Sequence, residues 1–342
     1  MLNYIIRRLL ILPIVLFGLS IMIFGLLQML SPVERATLYV SSPPKTPEAL
    51  QQIIDKYGLN DPIYKQYGRW VGDILHGNLG WSKTAQMPVS QAIKIYFPAT
   101  LELAIWAFVP IVVVGTWLGV QAAIHHDQVI DQAARVFSII GYSFPTFVFG
   151  LLVLMIFYAD LQWFPPGRLS NWATNIVYST AFHRYTGMNS FDAILNLRFD
   201  ILGDSLRHIF LPALTLTYVS SALILRVARS STLDVIRQDY IRTARSKGMP
   251  ERWVISRHAL PNALIPVVTI GGLLMVGLLN GVVITETVFN YHGMGLFAAN
   301  AALNFDAISI LGIALLAGAL LVMANLLVDI LYSYLDPRIR LK

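Results

Sequence analysis

Residues 240–266 read YIRTARSKGMPERWVISRHALPNALIP. They carry Arg242, Arg245, Lys247, Arg252 and Arg257, with Arg237 just upstream, in a 342-residue chain that is 56% hydrophobic and only 13% charged. Leu233, Ile236, Tyr240, Ile241 and Ala244 recur at helical spacing with Arg237, Arg242 and Arg245 turned away from them, which predicts an amphipathic helix. Gly248 predicts its stop, because the residue after a helix end commonly needs a positive φ that glycine tolerates. Pro250 and Glu251 then open a second short helix through Trp253 and Val254 toward Leu260, and Pro261 marks the entry to the apolar run that follows. The expected object is a stiff elbow: helix, tight glycine turn, helix.

Outward from the elbow the chain is apolar. A mean hydropathy of +0.62 with so few charges belongs to the membrane class. A bilayer core about 30 Å thick needs roughly 20 apolar residues in a helix. Six stretches answer that description: 9–30, 103–124, 136–158, 209–225, 263–285 and 308–328. The fourth is diluted by Pro212 and several Ser and Thr residues, and a start near Pro212 is expected, since a first-turn proline loses no helical hydrogen bond. Arg7 and Arg8 precede the first span, which is too long for a removable signal and lacks a small-x-small cleavage site, so it is expected to stay as an anchor with its N-terminus inside. On that topology the inside segments hold 14 of the 25 Lys and Arg residues in about half the length of the outside segments, a density bias of about two and a half-fold. The elbow then lies in the cytoplasm, between spans four and five, and the C-terminus is cytoplasmic as well.

The long outside segments carry helical patterns of their own. Thr46, Pro47 and Glu48 read as cap, first-turn proline and acidic first turn, after which Leu50, Ile53, Ile54 and Tyr57 line one face until Gly58. A second pattern starts at Asp61 and Pro62 with Ile63, Tyr67, Trp70, Val71 and Ile74 on one face. Packing against the protein's own outer surface is the expected role of both.

Several chemistries are excluded. There are no cysteines, hence no disulfides and no thiolate metal sites. No G-x-x-x-x-G-K-[ST], H-E-x-x-H or G-x-S-x-G motif occurs, so the chain is expected to be no ATPase and to have no catalytic residue of its own. His76, His125 and His126 lack a third ligand at metal-site spacing and read as solvated loop residues. The middles of all six spans are free of Asp, Glu, Lys and Arg: Glu102 is expected at the mouth of span two, Glu286 at the outer end of span five and Asp329 at the inner end of span six. An ion-coupled carrier normally holds such groups near the midplane, so the energy is expected from outside the chain. Gly271, Gly272, Gly277 and Gly281 permit close helix approach in span five, and Pro145, after Gly141, predicts a kink in span three. The elbow itself has three readings: a topology-setting basic loop on anionic lipid, a nucleic-acid patch, and a rigid docking element that transmits force to the spans.

Here the chain resembles the membrane-spanning permease subunits of binding-protein-dependent ABC importers, B-type subunits of the dipeptide and oligopeptide branch. That family's loop pattern, EAA, three residues, Gly, nine residues, I-x-L-P, falls on Arg242-Thr243-Ala244, Gly248 and His258-Ala259-Leu260-Pro261. Ala244, Gly248, Leu260 and Pro261 match; Arg242, Thr243 and His258 depart, as RTARSKG does in this branch. YGLNDPIYKQYGRWVGDILHGNLGWS (57–82), PATLELA (98–104), FPTFVFGLL (144–152), HIFLPALTL (208–216), ETVFNYHGMG (286–295) and NLLVDILYSYLDPRIR (325–340) look like the same branch in the same order. Ser31-Pro32-Val33-Glu34 stands where a Pro-Gly-Asp-Pro-like turn is usual, and His292-Gly293 where Pro-Gly is.

The resemblance implies an all-α integral membrane protein of six transmembrane helices with the type I ABC importer transmembrane fold and amphipathic helices in the extracytoplasmic loops. It divides the chain into an N-terminal span (1–30), an extracytoplasmic helical segment (31–99), a core permease domain (100–336, with its coupling loop at 229–262) and a cytoplasmic tail (337–342). It further implies a plasma- or inner-membrane heterodimer with a second homologous permease, two cytosolic ABC ATPases that bind ATP and Mg, an extracytoplasmic substrate-binding protein, and no nucleic acid. The ATPase-coupling residues would be Thr243, Ala244, Gly248, Met249, Pro250, Leu260 and Pro261. Peptides are the implied cargo, with oligosaccharides or nickel chelates as alternatives within the branch, and a stand-alone ion-coupled transporter as the alternative outside it.

Overall fold

A computed structural model describes residues 2–40 and 46–335. The expected tail at 337–342 lies outside the described residues. The first apolar run forms α1 (Leu2–Gln28), and short helices α2 (Pro32–Leu38), α3 (Pro47–Tyr57) and α4 (Ile63–Leu75) follow. The start signals behave as their chemistry dictates. Ser31 and Glu34 close a reciprocal capping box at α2, Thr46 Oγ1 accepts from Ala49 N–H at α3, and Gly58 ends α3 at φ 55°. Ala36, Ile54 and Leu59 bury a small core between α2 and α3. As expected, the amphipathic face of α4 turns onto the protein itself: Tyr67 and Trp70 pack against Phe24 of α1 with ring centres 5.3 and 5.5 Å away.

A two-rung antiparallel hairpin, β1 (Trp81–Ser82) and β2 (Met87–Pro88), leads into α5 (Val89–Ile124). Next come α6 (Val129–Ser143), α7 (Thr146–Leu154) with a π-helical extension at Met155–Asp160, and the loop helices α8 (Asn171–Val177) and α9 (Asn189–Leu195). The helix α10 (Phe199–Ile236) is the longest element at 38 residues. Small pieces α11 (Asp239–Ser246), α12 (Glu251–Trp253), a π turn (Val254–Ala259) and α13 (Leu260–Ala263) lead to α14 (Ile265–Leu279). Finally α15 (Val283–Val288), α16 (Met294–Leu303) and α17 (Ala307–Leu335) complete the chain.

The core runs along the line where α5 and α10 lie side by side. Gly115 faces Ser221 and Ile224, and Gly119 faces Leu225 and Ala228, so both helices run in the same direction. A Cβ on Gly119 would stand 2.5 Å from the Leu225 carbonyl oxygen, which shows how close the two backbones come. Leu103, Ile111, Ile224, Leu211, Phe289 and Tyr291 are among the fully buried side chains of this core.

Three expectations about the spans need correction: the sharpness of span three, the start of span four and the end of span five. Only α5, α10 and α17 are single helices long and apolar enough to cross a membrane among the described residues, and two bent helix pairs raise the number to five. The first expected span forms α1, 27 residues from Leu2 to Gln28. Span three turns by 100° between α6 and α7 rather than kinking, because Phe144, held extended before Pro145, ends the first helix outright. Span four starts ten residues or more before its expected start: α10 begins at Phe199, and Pro212 sits in its interior, where lateral packing on α5, α6 and α7 offsets the missing hydrogen bond. Span five ends at Leu279, not near Thr285. Gly281, at φ 95° and close against Gly295, stands where the chain leaves α14, and α15 and α16 follow before α17 begins.

Candidate functional site

The elbow folds as a unit with its own small core. Ile241, Ala244, Val254, Ile255 and Ala259 are buried together, with Val235, Ile236, Met249 and Leu260 packed around them. Leu233 and Ile236 belong to the end of α10 rather than to the elbow's first helix. The chain breaks at Arg237 and Gln238, and α11 starts at Asp239. This break was invisible to periodicity because the apolar stripe continues across it.

Gly248 takes φ 73°, its N–H donating to Arg245 O at 2.9 Å, with the Met249 N–H reaching Ala244 O at 3.4 Å. These two bonds close the helix end in the way a left-handed residue permits. Across the turn the Arg245 guanidinium grips Glu251 with two bonds of 3.1 and 2.6 Å. The second arm is not the single helix expected. The π turn at Val254–Ala259 widens it, and Asn262 Nδ2 donates to the Tyr240 hydroxyl at 3.0 Å, tying the second arm back to the first. The corner toward the following span also moves: the axis bends by 49° at Leu264, just before Pro266, and not at Pro261.

Of the expected coupling residues, Ala244, Met249 and Leu260 share the elbow's core, while Gly248 and Pro250 form its exposed tip. Thr243 and Pro261 are exposed and do not join the cluster; Thr243 Oγ1 donates to Asp239 O at 3.0 Å. Two exposed aromatics escaped the motif-based reading. Trp253 is 49% exposed with the Arg257 guanidinium 4.3 Å above its ring, and Tyr240 is 43% exposed. The helical spacing assigned Tyr240 to the apolar face, so its exposure was not legible there.

One buried ion-pair network joins α6 to α10 close to the elbow. The Asp131 carboxylate is fully buried and accepts from Arg229 Nε at 2.6 Å, Arg229 Nη2 at 2.8 Å, Arg135 Nη2 at 2.8 Å and Asp127 N–H at 3.0 Å. His126 does gain neighbours that its sequence spacing did not suggest: one ligand atom each from His126, Asp127 and Asp131 lies within 4.8 Å of the others. Both Asp131 oxygens are already occupied by arginines, so the arrangement is an ion-pair network.

A second network lies toward the other end of α5. Glu102 is fully buried and accepts from Ser190 N–H at 2.6 Å, Ser190 Oγ at 2.7 Å, Arg168 Nη2 at 2.9 Å and Tyr291 OH at 3.1 Å. Residues far apart in sequence thereby clamp the 161–198 loop, α5 and the α15–α16 connection. Glu286 sits beside it, likewise fully buried, accepting from Thr100 Oγ1 at 2.7 Å and Leu296 N–H at 2.8 Å. Among the described residues Glu286 has no basic partner. The Asp306 carboxylate, just before α17, receives Ser82 Oγ, Thr84 N–H and Ser309 Oγ at 2.9, 2.9 and 2.7 Å. Burial pushes this carboxyl up, and those donors outweigh it, leaving it below the usual carboxylate range.

Three helices long and apolar enough to cross a membrane, two bent helix pairs that pass the same test together, and a basic elbow joining α10 to α14 define a membrane protein of several spans. The chain belongs to the family of binding-protein-dependent transport system inner membrane components: residues 112–341 match that family, and residues 1–104 match the N-terminal region of binding-protein-dependent transport system membrane components. It is 39% identical over 291 residues to the probable D,D-dipeptide transport system permease protein DdpB of Escherichia coli, covering 85% of this chain and 84% of that one. It is 36% identical over 340 residues to the dipeptide transport system permease protein DppB of Alkalihalophilus pseudofirmus, covering 99% and 100%. The oligopeptide transport system permease protein AppB of Bacillus subtilis is 36% identical over 338 residues, 98% of each chain.

Proposed function

We propose that this permease subunit forms half of a translocation pathway for di- or oligopeptides, pairing with a second related permease and receiving cargo from an extracytoplasmic binding protein. Two cytosolic ATPases, which bind the ATP and Mg, drive it through the elbow, with both termini of this chain in the cytoplasm. The observation that carries this reading is the construction of the elbow. An exposed tip at Gly248 and Pro250 stands on its own apolar core, continuous with α10 on one side and α14 on the other. A push on that tip moves two long helices together, because the turn and both arms are cross-tied by Arg245–Glu251 and Tyr240–Asn262. Peptide cargo is supported by the relatives' names, which concern dipeptides and oligopeptides. Oligosaccharides and nickel chelates are the competing cargoes.

The test is co-purification of the chain with its genomic neighbours, reconstitution in vesicles, and uptake of labelled dipeptides with ATP supplied on the elbow side. Uptake that needs ATP and the binding protein supports the reading. Failure of ATP to drive uptake, or uptake by this chain alone, overturns it. A stand-alone ion-coupled carrier is the second reading, and buried Glu286 without a basic partner is the observation in its favour. Collapsing the proton gradient while ATP is kept separates the two: uptake persists in the importer and stops in the carrier.

A further inference from the structure

Arg35 lies outside everything used so far. It is 7% exposed, and its guanidinium donates Nη1 to Gln28 Oε1 at 2.7 Å and to Gln66 Oε1 at 2.6 Å, and Nη2 to Leu59 O at 3.1 Å. Nε has no partner at all. Every acceptor is neutral, and among the described residues no carboxylate lies within ion-pair reach. A buried cation left without an anion is costly, and this one lines a cavity.

That cavity, about 100 Å³, lies between the end of α1 and the α2–α4 segment, and its other charged lining groups are Lys56, Arg69 and Asp73. Arg69 is already paired with Asp61. Arg35 and Lys56 therefore face Asp73 with positive charge in excess. A second cavity of about 240 Å³ shares Tyr39, Tyr57, Trp70 and Asp73 with the first and continues along Leu311 and Leu315 of α17. The pair thus has a cationic polar end, an aromatic collar and an apolar arm along a membrane-crossing helix. Tyr and Trp collect where a bilayer core meets water, and the site stands at that level, where α1 ends and α17 begins.

We propose that these joined cavities hold a membrane phospholipid, its phosphodiester on Arg35 and one acyl chain along Leu311 and Leu315. On the orientation proposed above, it comes from the outer leaflet. The phosphate supplies the anion that Arg35 lacks, and the lipid seals the N-terminal helical segment against α17.

The test uses the complete transporter complex, exchanged into detergent and titrated with phosphatidylglycerol under native mass spectrometry. Wild type is expected to retain phospholipid through the exchange. Arg35→Gln is expected to weaken binding about tenfold, the factor for one charge-assisted hydrogen bond. Leu315→Trp, which fills the apolar arm and leaves Arg35 untouched, is expected to weaken it similarly, and it carries the test if the Arg35 variant does not fold. Millimolar inorganic phosphate is expected to leave the lipid in place. Equal retention by wild type and Leu315→Trp, no retained phospholipid in wild type, or displacement by inorganic phosphate would each overturn the proposal, the last pointing to a free-anion site.

Discussion

Replacing Gly248 isolates the contribution of the elbow's backbone, because a Cβ added there meets no atom within 4 Å. No steric clash inside the chain accompanies the change, so the cost is conformational. At φ 73° an L-residue with a Cβ is strained by about 1 kcal/mol for alanine and about 2 kcal/mol for a β-branched residue. The turn that joins the two arms would then lose roughly fivefold to thirtyfold in population against frayed alternatives. Gly248→Val is therefore expected to cut ATP-driven peptide uptake by up to about thirtyfold, the factor for about 2 kcal/mol, in reconstituted vesicles while inserting at wild-type levels. Gly248→Asn, whose side chain tolerates the left-handed region, is expected to keep most of the uptake. ATP hydrolysis by the complex, read in the same vesicles, should lose its dependence on the binding protein in the valine variant. Wild-type uptake by Gly248→Val would refute the claim that the turn's geometry transmits force. Equal damage from Asn and Val would show that side-chain bulk at a partner surface, not backbone conformation, is what matters.

Three further outcomes follow from the clusters. Arg229→Met leaves the fully buried Asp131 short of its main partner and should cost about 3–5 kcal/mol of stability, while Asp131→Asn in the same chain should recover most of it; chemical unfolding in detergent measures both, and a single variant within 1 kcal/mol of wild type would sink the account. Gly119→Val forces a side chain to within 2.5 Å of the Leu225 carbonyl and should abolish the close α5–α10 approach, read as loss of folded protein after detergent extraction; normal yield and thermal stability would contradict the packing described. Asp306, whose folded carboxyl lies below its unfolded value, contributes stability that is complete above about pH 4 and lost as pH falls through the lower folded value, so Asp306→Asn should flatten the acid limb of a thermal-stability profile; an unchanged acid limb would remove the Ser82–Thr84 clamp from the account.

Much of the local grammar was legible in the chain. Thr46 and Pro47 opened a helix, Gly58 and Gly248 closed theirs, and Pro145 interrupted a span, because caps, left-handed residues and prolines act on neighbours within a turn or two. The elbow's position and its family resemblance were equally readable, since the pattern from Ala244 through Gly248 to Pro261 lies within one stretch. Lengths and angles were not. Pro212 looked like a beginning and proved to be an interior residue of α10, because the lateral contacts that hold the helix through it come from other spans.

The sequence by itself determined that this chain lives in a membrane, carries helices and owns no motif for consuming nucleotide, because hydropathy, periodicity and spacing are properties of nearby residues. Tertiary structure alone decided where Glu102 and Glu286 go, why Arg35 is short of an anion, and how sharply the third and fifth apolar runs bend. Those outcomes depend on partners such as Ser190 for Glu102 and Thr100 for Glu286, which are 88 and 186 positions away and meet only when the helices have packed.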